Sequence, residues 1–70
     1  MVDVSIVNAK GDENYHGMTV EQAEELIGEF FEEAKGQRYF IVDKETNEIL
    51  KEIKLKENQS VVLVPIVGGG

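Results

Sequence analysis

The sequence predicts an α+β fold in which a mixed sheet of four to five strands packs on one helix. Three features indicate this fold: apolar residues that alternate near the N-terminus, one long segment with apolar residues at helical spacing, and short apolar segments between polar turns. The chain has 70 residues, which is enough for one small core and too few for two. We therefore predict one domain over residues 1–67 and a flexible glycine tail over residues 68–70.

The first two strands are predicted to form a hairpin. Val2, Val4 and Ile6 alternate with polar residues, which is the period of a strand with one buried face. A turn is expected over residues 10–14, where glycine and asparagine favour turn conformations. Residues 15–18 are then expected to return as the second strand.

The segment MTVEQAEELIGEFFEEAKG predicts an amphipathic helix. Thr19 and Gln22 have the spacing of a capping box, and apolar residues recur on one face while six glutamates occupy the rest. Gly36 is expected to end the helix in a left-handed conformation, beside Lys35, whose charge suits the negative end of the helix dipole.

Three more strands are predicted after the helix. Residues 39–42 and 49–53 form a hairpin around the polar turn DKETNE, and residues 55–60 lead to a last strand at 61–67. That strand has too little polar alternation for an edge position, so it is expected between two neighbours. Because proline donates no ladder hydrogen bond, pairing is expected to stop near Pro65 and residues 66–70 to leave the sheet.

The predicted order along the chain is ββαβββ. A sheet of this order that packs one face on one helix is the β-grasp arrangement. The first and last strands are then expected to be parallel and to lie in the middle of the sheet.

Residues with catalytic chemistry are scarce, so we expect no enzyme, no metal and no bound cofactor. His16 is the only histidine, and no nucleophile, base and orienting group can be assembled around it. Glu21, Glu25 and Glu29 share one helix face but lack the loop oxygens of a calcium site, which favours a solvated face. Glycine motifs for phosphate and aromatic-basic patches for nucleic acid are missing from the sequence.

Charge and cysteine content indicate which partners and which cellular compartment to expect. Fourteen acidic against 7 basic residues give a net charge of -7, which opposes nonspecific binding to nucleic acid or anionic lipid. No segment approaches the ~18 apolar residues of a membrane span, and the N-terminus lacks a secretory signal. The lack of cysteine is typical of a reducing compartment, so a cytoplasmic location is expected.

The ending VVLVPIVGGG is the segment best suited to chemistry. Glycine has no side chain to bury and loses the most backbone entropy on folding, so packing does not explain three in a row. A glycine tail can thread a narrow cleft and bring a terminal carboxylate to the reacting atoms of a partner. Adenylation by ATP would then make that carboxylate an electrophile for a sulfur or amine nucleophile.

This ending resembles the ubiquitin-like β-grasp carriers, which include the small subunit of molybdopterin synthase, the thiamine sulfur carrier and the archaeal small modifier proteins. Those proteins typically end in a valine-rich strand, often a proline, then a small residue and Gly-Gly; the matching residues here are Val61, Leu63, Val64, Pro65, Val67, Gly68, Gly69 and Gly70. Residues 55–61 match the preceding turn in spacing, with Asn58 at the family's glycine and Gln59 at its aspartate. Asparagine tolerates the left-handed backbone that such a glycine adopts.

The resemblance implies that an activating enzyme uses ATP to adenylate Gly70 at the Gly69-Gly70 terminus, while Pro65, Val67 and Gly68 contact a partner. The chain would then carry sulfur as a thiocarboxylate to a synthase subunit, or be attached to lysines of target proteins. A metalloprotease that cuts after Gly-Gly would point to the second variant. A hydrophobic patch that docks the partner is expected from residues of the sheet, among Ile49, Ile53, Val62 and Val64.

Two alternatives stay open. Similar endings occur in the ubiquitin-like segment of lambda-like phage tail assembly proteins, where the chain continues past the glycines. A non-catalytic β-grasp module of that kind would bind through its sheet face or an edge strand, with no chemistry at the C-terminus. Terminal glycines that come from cloning, or that fray, would have no function.

Overall fold

The computed structural model describes residues 1–8, 11–34 and 38–66. Its elements, in chain order, are β1 (Val2–Ile6), β2 (Glu13–Met18), α1 (Val20–Glu33), β3 (Tyr39–Asp43), β4 (Ile49–Leu50) and β5 (Ser60–Pro65). These elements confirm the predicted α+β class, with one helix and a mixed five-stranded sheet. The arrangement is compatible with a β-grasp-like layout.

The strands lie in the order β2-β1-β5-β3-β4 across the sheet. Along the chain the elements follow the predicted order ββαβββ. The spatial order of the strands differs from the chain order, because β5 returns across the sheet to lie between β1 and β3. The expected parallel pairing of the first and last strands is confirmed, with Val4 opposite Val61. The other three strand pairs are antiparallel.

Helix α1 begins at the predicted capping box. The Oγ1 of Thr19 accepts from the backbone N–H of Gln22 at 3.1 Å, and the Oε1 of Gln22 accepts from the backbone N–H of Thr19 at 3.1 Å. The helix ends with Ala34 as its cap, whereas the predicted cap at Lys35 and Gly36 lies outside the described residues. Within 1–8, 11–34 and 38–66, no helix combines the length and apolar character needed to cross a bilayer.

The core lies between the helix and one face of the sheet. Among the residues that the structure describes, nine apolar side chains are buried there: Val2, Val4, Ile6, Ala23, Ile27, Ile41, Leu55, Val61 and Leu63. Further apolar side chains of the helix pack partly against this cluster, including Leu26 and Phe30, and the ring of Phe30 meets that of Tyr39 edge-on at 4.7 Å. The predicted apolar helix face is therefore the face that is buried.

The strand after the DKETNE turn is shorter than predicted. It spans Ile49–Leu50 instead of residues 49–53, because the chain then bends to lay Ile53 and Leu55 against the core. The backbone N–H of Leu55 donates to the Oε2 of Glu24 at 2.9 Å, which holds this bend on the helix. The second strand, in contrast, is longer than predicted and begins at Glu13, inside the expected turn.

Candidate functional site

Strand β5 positions the segment that the sequence singles out for chemistry. Pro65 closes the strand opposite Tyr39, and the backbone N–H of Ile66 donates to the carbonyl oxygen of Arg38 at 2.9 Å. Backbone pairing therefore continues one residue past the proline. Strand β5 itself ends at Pro65, so the prediction that pairing stops near the proline is confirmed apart from this one hydrogen bond.

Proline has no backbone N–H, and the edge of the strand to which that group would point explains why Pro65 is tolerated in a central strand. The carbonyl of Leu63 accepts from the N–H of Val7 at 2.9 Å, so the odd-numbered residues of β5 present their backbone groups to β1. Pro65 lies further along the same edge, where β1 has already ended at Ile6. Bonding to β3 is kept, because β3 pairs with the groups on the opposite edge, such as the N–H of Ile66.

Most of the predicted site residues lie beyond the described part of the chain. Of the tail residues assigned to carrier or contact roles, Pro65 is described, and it is half-buried. Val67, Gly68, Gly69 and Gly70 lie outside the described residues, so the acyl-carrier terminus stays a prediction.

The turn that leads into β5 has the predicted left-handed residue. Asn58 has a φ of 60°, a conformation that glycine and asparagine adopt more readily than other residues. The left-handed backbone expected at Asn58 is therefore confirmed, and the correspondence of Asn58 to the glycine of the resembled family stays a prediction.

Gln59, which departs from the family's aspartate, links this turn to the turn after β3. Its Nε2 donates to the Oδ2 of Asp43 at 2.7 Å, and its Oε1 accepts from the N–H of Lys56 at 2.8 Å. Asp43 also accepts from the backbone N–H groups of Glu45 and Thr46, at 2.8 and 3.2 Å. These bonds, and first among them the bond from Gln59, lower the pKa of Asp43 because they stabilise its carboxylate. An aspartate at position 59 would instead bring a second carboxylate close to that of Asp43.

An apolar patch lies on the face of the sheet that points away from α1. The strand register places Phe40 beside Val64, and Val42 between Val62 and Ile49. Phe40 is 40% exposed and Ile49 is 55% exposed. We call these five residues, Phe40, Val42, Ile49, Val62 and Val64, the outer patch.

The outer patch overlaps the docking surface expected from the sequence. Three of the four residues named for that surface belong to it, and the exception is Ile53, which packs against the core. Sequence reasoning missed Phe40 and Val42. The signal that could have found them is their alternation with Ile41, because successive side chains of a strand point to opposite faces and Ile41 is buried.

A polar group of three side chains borders the outer patch. Ser5 is only 7% exposed and lies opposite Val62. Its Oγ donates to the Oδ1 of Asn14 at 2.8 Å and accepts from the Nζ of Lys44 at 3.1 Å. The buried hydroxyl is therefore satisfied, and the ammonium of Lys44 is held at the margin of the outer patch.

A groove of about 320 Å³ lies where the chain leaves β5, and we call it the tail groove. Its described lining consists of Phe31, Arg38, Tyr39, Phe40 and Ile66. Arg38 is exposed and contributes the charge, while the remaining four residues are apolar or aromatic. Phe40 belongs both to this groove and to the outer patch, so the two surfaces are continuous.

A second depression, of about 200 Å³, is acidic. Glu13, Glu29 and Glu33 surround it, and Tyr15 lies at its edge with its hydroxyl donating to the Oε1 of Glu13 at 3.0 Å. This hydrogen bond raises the pKa of Tyr15, because it stabilises the protonated phenol. Ile6, Leu26 and Phe30 complete the described lining, so the depression combines three carboxylates with apolar side chains.

The other residues considered for chemistry are solvated. His16 is exposed, with its Nδ1 3.4 Å from the Oδ1 of Asp3. Glu21, Glu25 and Glu29 are exposed along the helix, as expected for a solvated face. In the part of the chain that the structure describes, no group of three or more His, Cys, Asp or Glu side chains is placed to hold a metal ion.

No family model, no curated protein and no solved structure matches this chain. Support for a function comes from the chain's own residues. Ile66, which we call the tail root, follows the central strand β5; the tail groove lies beside it, and the outer patch lies next to the groove.

Proposed function

We propose that the chain is a ubiquitin-like β-grasp carrier whose C-terminal Gly-Gly is adenylated by an activating enzyme and then carries sulfur or is conjugated to target lysines. The observation that supports the proposal is the position of β5. Its pairing with two neighbours and the hydrogen bond from Ile66 to Arg38 hold the root of the tail at the end of a central strand. The proposed setting is the cytoplasm, and the chain itself is not an enzyme.

The first proposed step activates the terminal carboxylate. A carboxylate oxygen of Gly70 attacks the α-phosphorus of ATP, the bond to the β-phosphate breaks, and pyrophosphate leaves. The product is an acyl adenylate, in which AMP is the leaving group for the next nucleophile.

Sulfur transfer and conjugation differ in that nucleophile. For sulfur transfer, a persulfide of the partner attacks the acyl carbon and AMP leaves. A second partner thiolate then breaks the sulfur–sulfur bond, which leaves a thiocarboxylate on the chain and a disulfide on the partner. For conjugation, the amine of a target lysine attacks the acyl carbon and AMP leaves, or an enzyme thiolate first displaces AMP and the amine then displaces that thiolate. Either route forms an isopeptide bond and releases a proton.

The surfaces near the tail root are suited to holding such an enzyme. Four residues separate Ile66 from the carboxylate of Gly70, and they span at most about 14 Å when fully extended. The enzyme must therefore contact the surface around the tail root. Phe40, which lies opposite Val64 and lines the tail groove beside Ile66, supplies exposed apolar area there.

A direct test incubates the purified chain with ATP and, one at a time, with the adenylating enzymes of the source organism. ATP–pyrophosphate exchange that depends on the chain supports the proposal. A chain lacking Gly70 is expected to give none while unfolding like the wild type, because glycine has no side chain to bury. The intact mass of the chain then distinguishes the two forms of the proposed function. Replacement of one oxygen by sulfur indicates sulfur carriage, and a lysine-linked adduct indicates conjugation. No exchange, no thiocarboxylate and no adduct with every enzyme would refute both.

The outer patch also favours a second candidate, a binding or assembly module without C-terminal chemistry, such as the phage tail assembly proteins contain. An apolar face of this kind can bind a partner on its own. This candidate predicts that removal of residues 68–70 leaves partner binding unchanged, whereas Val62→Asp in the outer patch abolishes it. Co-purification of partners with each variant in the source cells distinguishes the two candidates.

A further inference from the structure

The depression of about 200 Å³ between helix α1 and the hairpin of β1 and β2 plays no part in the proposed carrier chemistry, and we call it the hairpin groove. Much of its lining is apolar. Ile6 is buried, and Leu26 and Phe30, one helical turn apart, are half-buried. Tyr15 adds an aromatic ring from β2. The groove therefore offers hydrocarbon contacts to a side chain that enters it.

Carboxylates line the hairpin groove from both sides. Glu29 and Glu33 belong to the helix, whereas Glu13 belongs to β2. Both oxygens of Glu13 are held in place, because Oε1 accepts from the hydroxyl of Tyr15 at 3.0 Å and Oε2 accepts from the Nδ2 of Asn8 at 3.3 Å. The described lining contains no basic side chain. An apolar groove thus presents negative charge on two facing elements.

The combination of apolar and acidic side chains decides which occupant fits the hairpin groove. A metal ion gains nothing from the apolar lining, and a purely apolar side chain would take carboxylates out of water without pairing them. A partner carboxylate would meet like charge. A side chain with a hydrocarbon stem and a cationic end contacts both kinds of lining favourably.

Volume and chemistry favour an arginine of a protein partner. Small-molecule pockets typically have volumes of about 300–1,000 Å³, so a groove of about 200 Å³ suits one long side chain better than a free ligand. A guanidinium is a planar fork of donors that is more weakly hydrated than the ammonium of lysine, and it stacks on aromatic rings such as those of Tyr15 and Phe30. The net charge of -7 also attracts a basic partner from a distance.

We infer that the hairpin groove binds an arginine side chain of a basic protein partner, with the methylene stem against Leu26 and Phe30 and the guanidinium between Glu13 and the helix carboxylates. This binding needs no chemistry at Gly70, so it goes beyond the proposed function and applies equally to a carrier and to an assembly module. Charge complementarity also selects the partner, because an acidic segment in the same groove would be repelled.

A nuclear magnetic resonance titration of the isotope-labelled chain tests this with a short probe peptide, acetyl-leucine-serine-arginine-serine-leucine-amide. Two matched peptides replace its arginine by lysine or by citrulline, which has the shape of arginine without the charge. The arginine peptide is expected to shift the methyl signals of Leu26 and the ring signals of Phe30. It is expected to bind about tenfold more tightly than the citrulline peptide and about twofold more tightly than the lysine peptide.

Two double variants locate the binding site on the helix. Glu29→Gln with Glu33→Gln removes two carboxylates of the groove and is expected to weaken binding of the arginine peptide by about fivefold. Glu21→Gln with Glu25→Gln makes the same charge change at the same spacing, at exposed positions of the same helix outside the groove, and is expected to stay within about twofold of the wild type. Glutamine and glutamate have similar helix propensities, so both variants are expected to keep the helix.

Several outcomes would overturn the inference. Equal weakening by the two double variants would mean that the peptide follows net charge alone, and equal binding of the arginine and citrulline peptides would leave the carboxylates without a role. No binding of the arginine peptide, or signal changes centred outside the hairpin groove, would also overturn it. Spermidine that displaces the arginine peptide at equal or lower concentration would assign the groove to a free polyamine. Failure of adenylation with every enzyme would refute the proposed function alone, since this titration contains no enzyme.

Discussion

Replacement of Ile27 by alanine is expected to remove a large share of the stability of the fold. Ile27 is fully buried beneath the sheet, and the change deletes three carbons at about 0.8 kcal/mol each, or roughly 2.4 kcal/mol of transfer free energy. The cavity left behind raises the loss to about 3–4 kcal/mol. A domain of 70 residues has a free energy of unfolding of about 4–10 kcal/mol in total, so the variant should be close to unfolding.

Urea denaturation followed by far-UV circular dichroism measures this loss, and the chain offers a matched control. For so small a domain an m-value near about 1 kcal/mol/M is expected, so the midpoint of Ile27→Ala should fall by about 3 M. Ile49→Ala makes the same chemical change in the outer patch, where the side chain is 55% exposed, and should change the free energy of unfolding by less than about 0.5 kcal/mol. Equal losses for the two variants would refute the assignment of core and outer faces.

Three further predictions concern local interactions. Thr19→Ala removes the capping box and should lower the free energy of unfolding by about 1 kcal/mol, whereas an unchanged urea midpoint would contradict the role of the cap. The pKa of Asp43 is lower in the folded chain than in the unfolded chain, so its stabilising contribution is complete above the unfolded value and is lost as the pH falls through the folded value. Asp43→Asn should therefore weaken the fall in stability on acidification below about pH 4, and equal acid slopes in urea titrations would argue against the bond from Gln59. Asn58→Ala should cost about 1 kcal/mol because of its φ of 60°, and Asn58→Gly should cost less; the reverse order in thermal unfolding would contradict a left-handed residue here.

The parts of the fold that the sequence predicts well depend on local signals. The capping box of Thr19 and Gln22 lies within a single turn of helix, and the alternation of Val2, Val4 and Ile6 reports one strand face. Both could be predicted because neighbouring residues in the chain determine them. The left-handed backbone at Asn58 belongs to the same class, since a turn needs a residue that tolerates it.

The errors come from contacts between distant residues. Strand β4 ends early because Leu55 bonds to Glu24 on the helix, 31 residues away in the chain. The tolerance of Pro65 in a central strand also depends on distant residues, because its missing N–H faces the end of β1, which no local pattern reveals. The carrier terminus stays a prediction, because its chemical groups lie at 67–70, outside the described residues.

The central position of β5 also bears on aggregation. Its sequence SVVLVP is rich in β-branched residues and has no charge, a composition that favours intermolecular cross-β pairing when it is exposed. In this fold both of its edges are occupied by β1 and β3. The outermost strands are poor templates by comparison: β4 has two residues, and β2 is polar and contains Gly17 with a φ of 69°. Exposure of an edge of β5 therefore requires β1 or β3 to detach, so mutations that loosen either strand are expected to increase aggregation of the protein in concentrated solution.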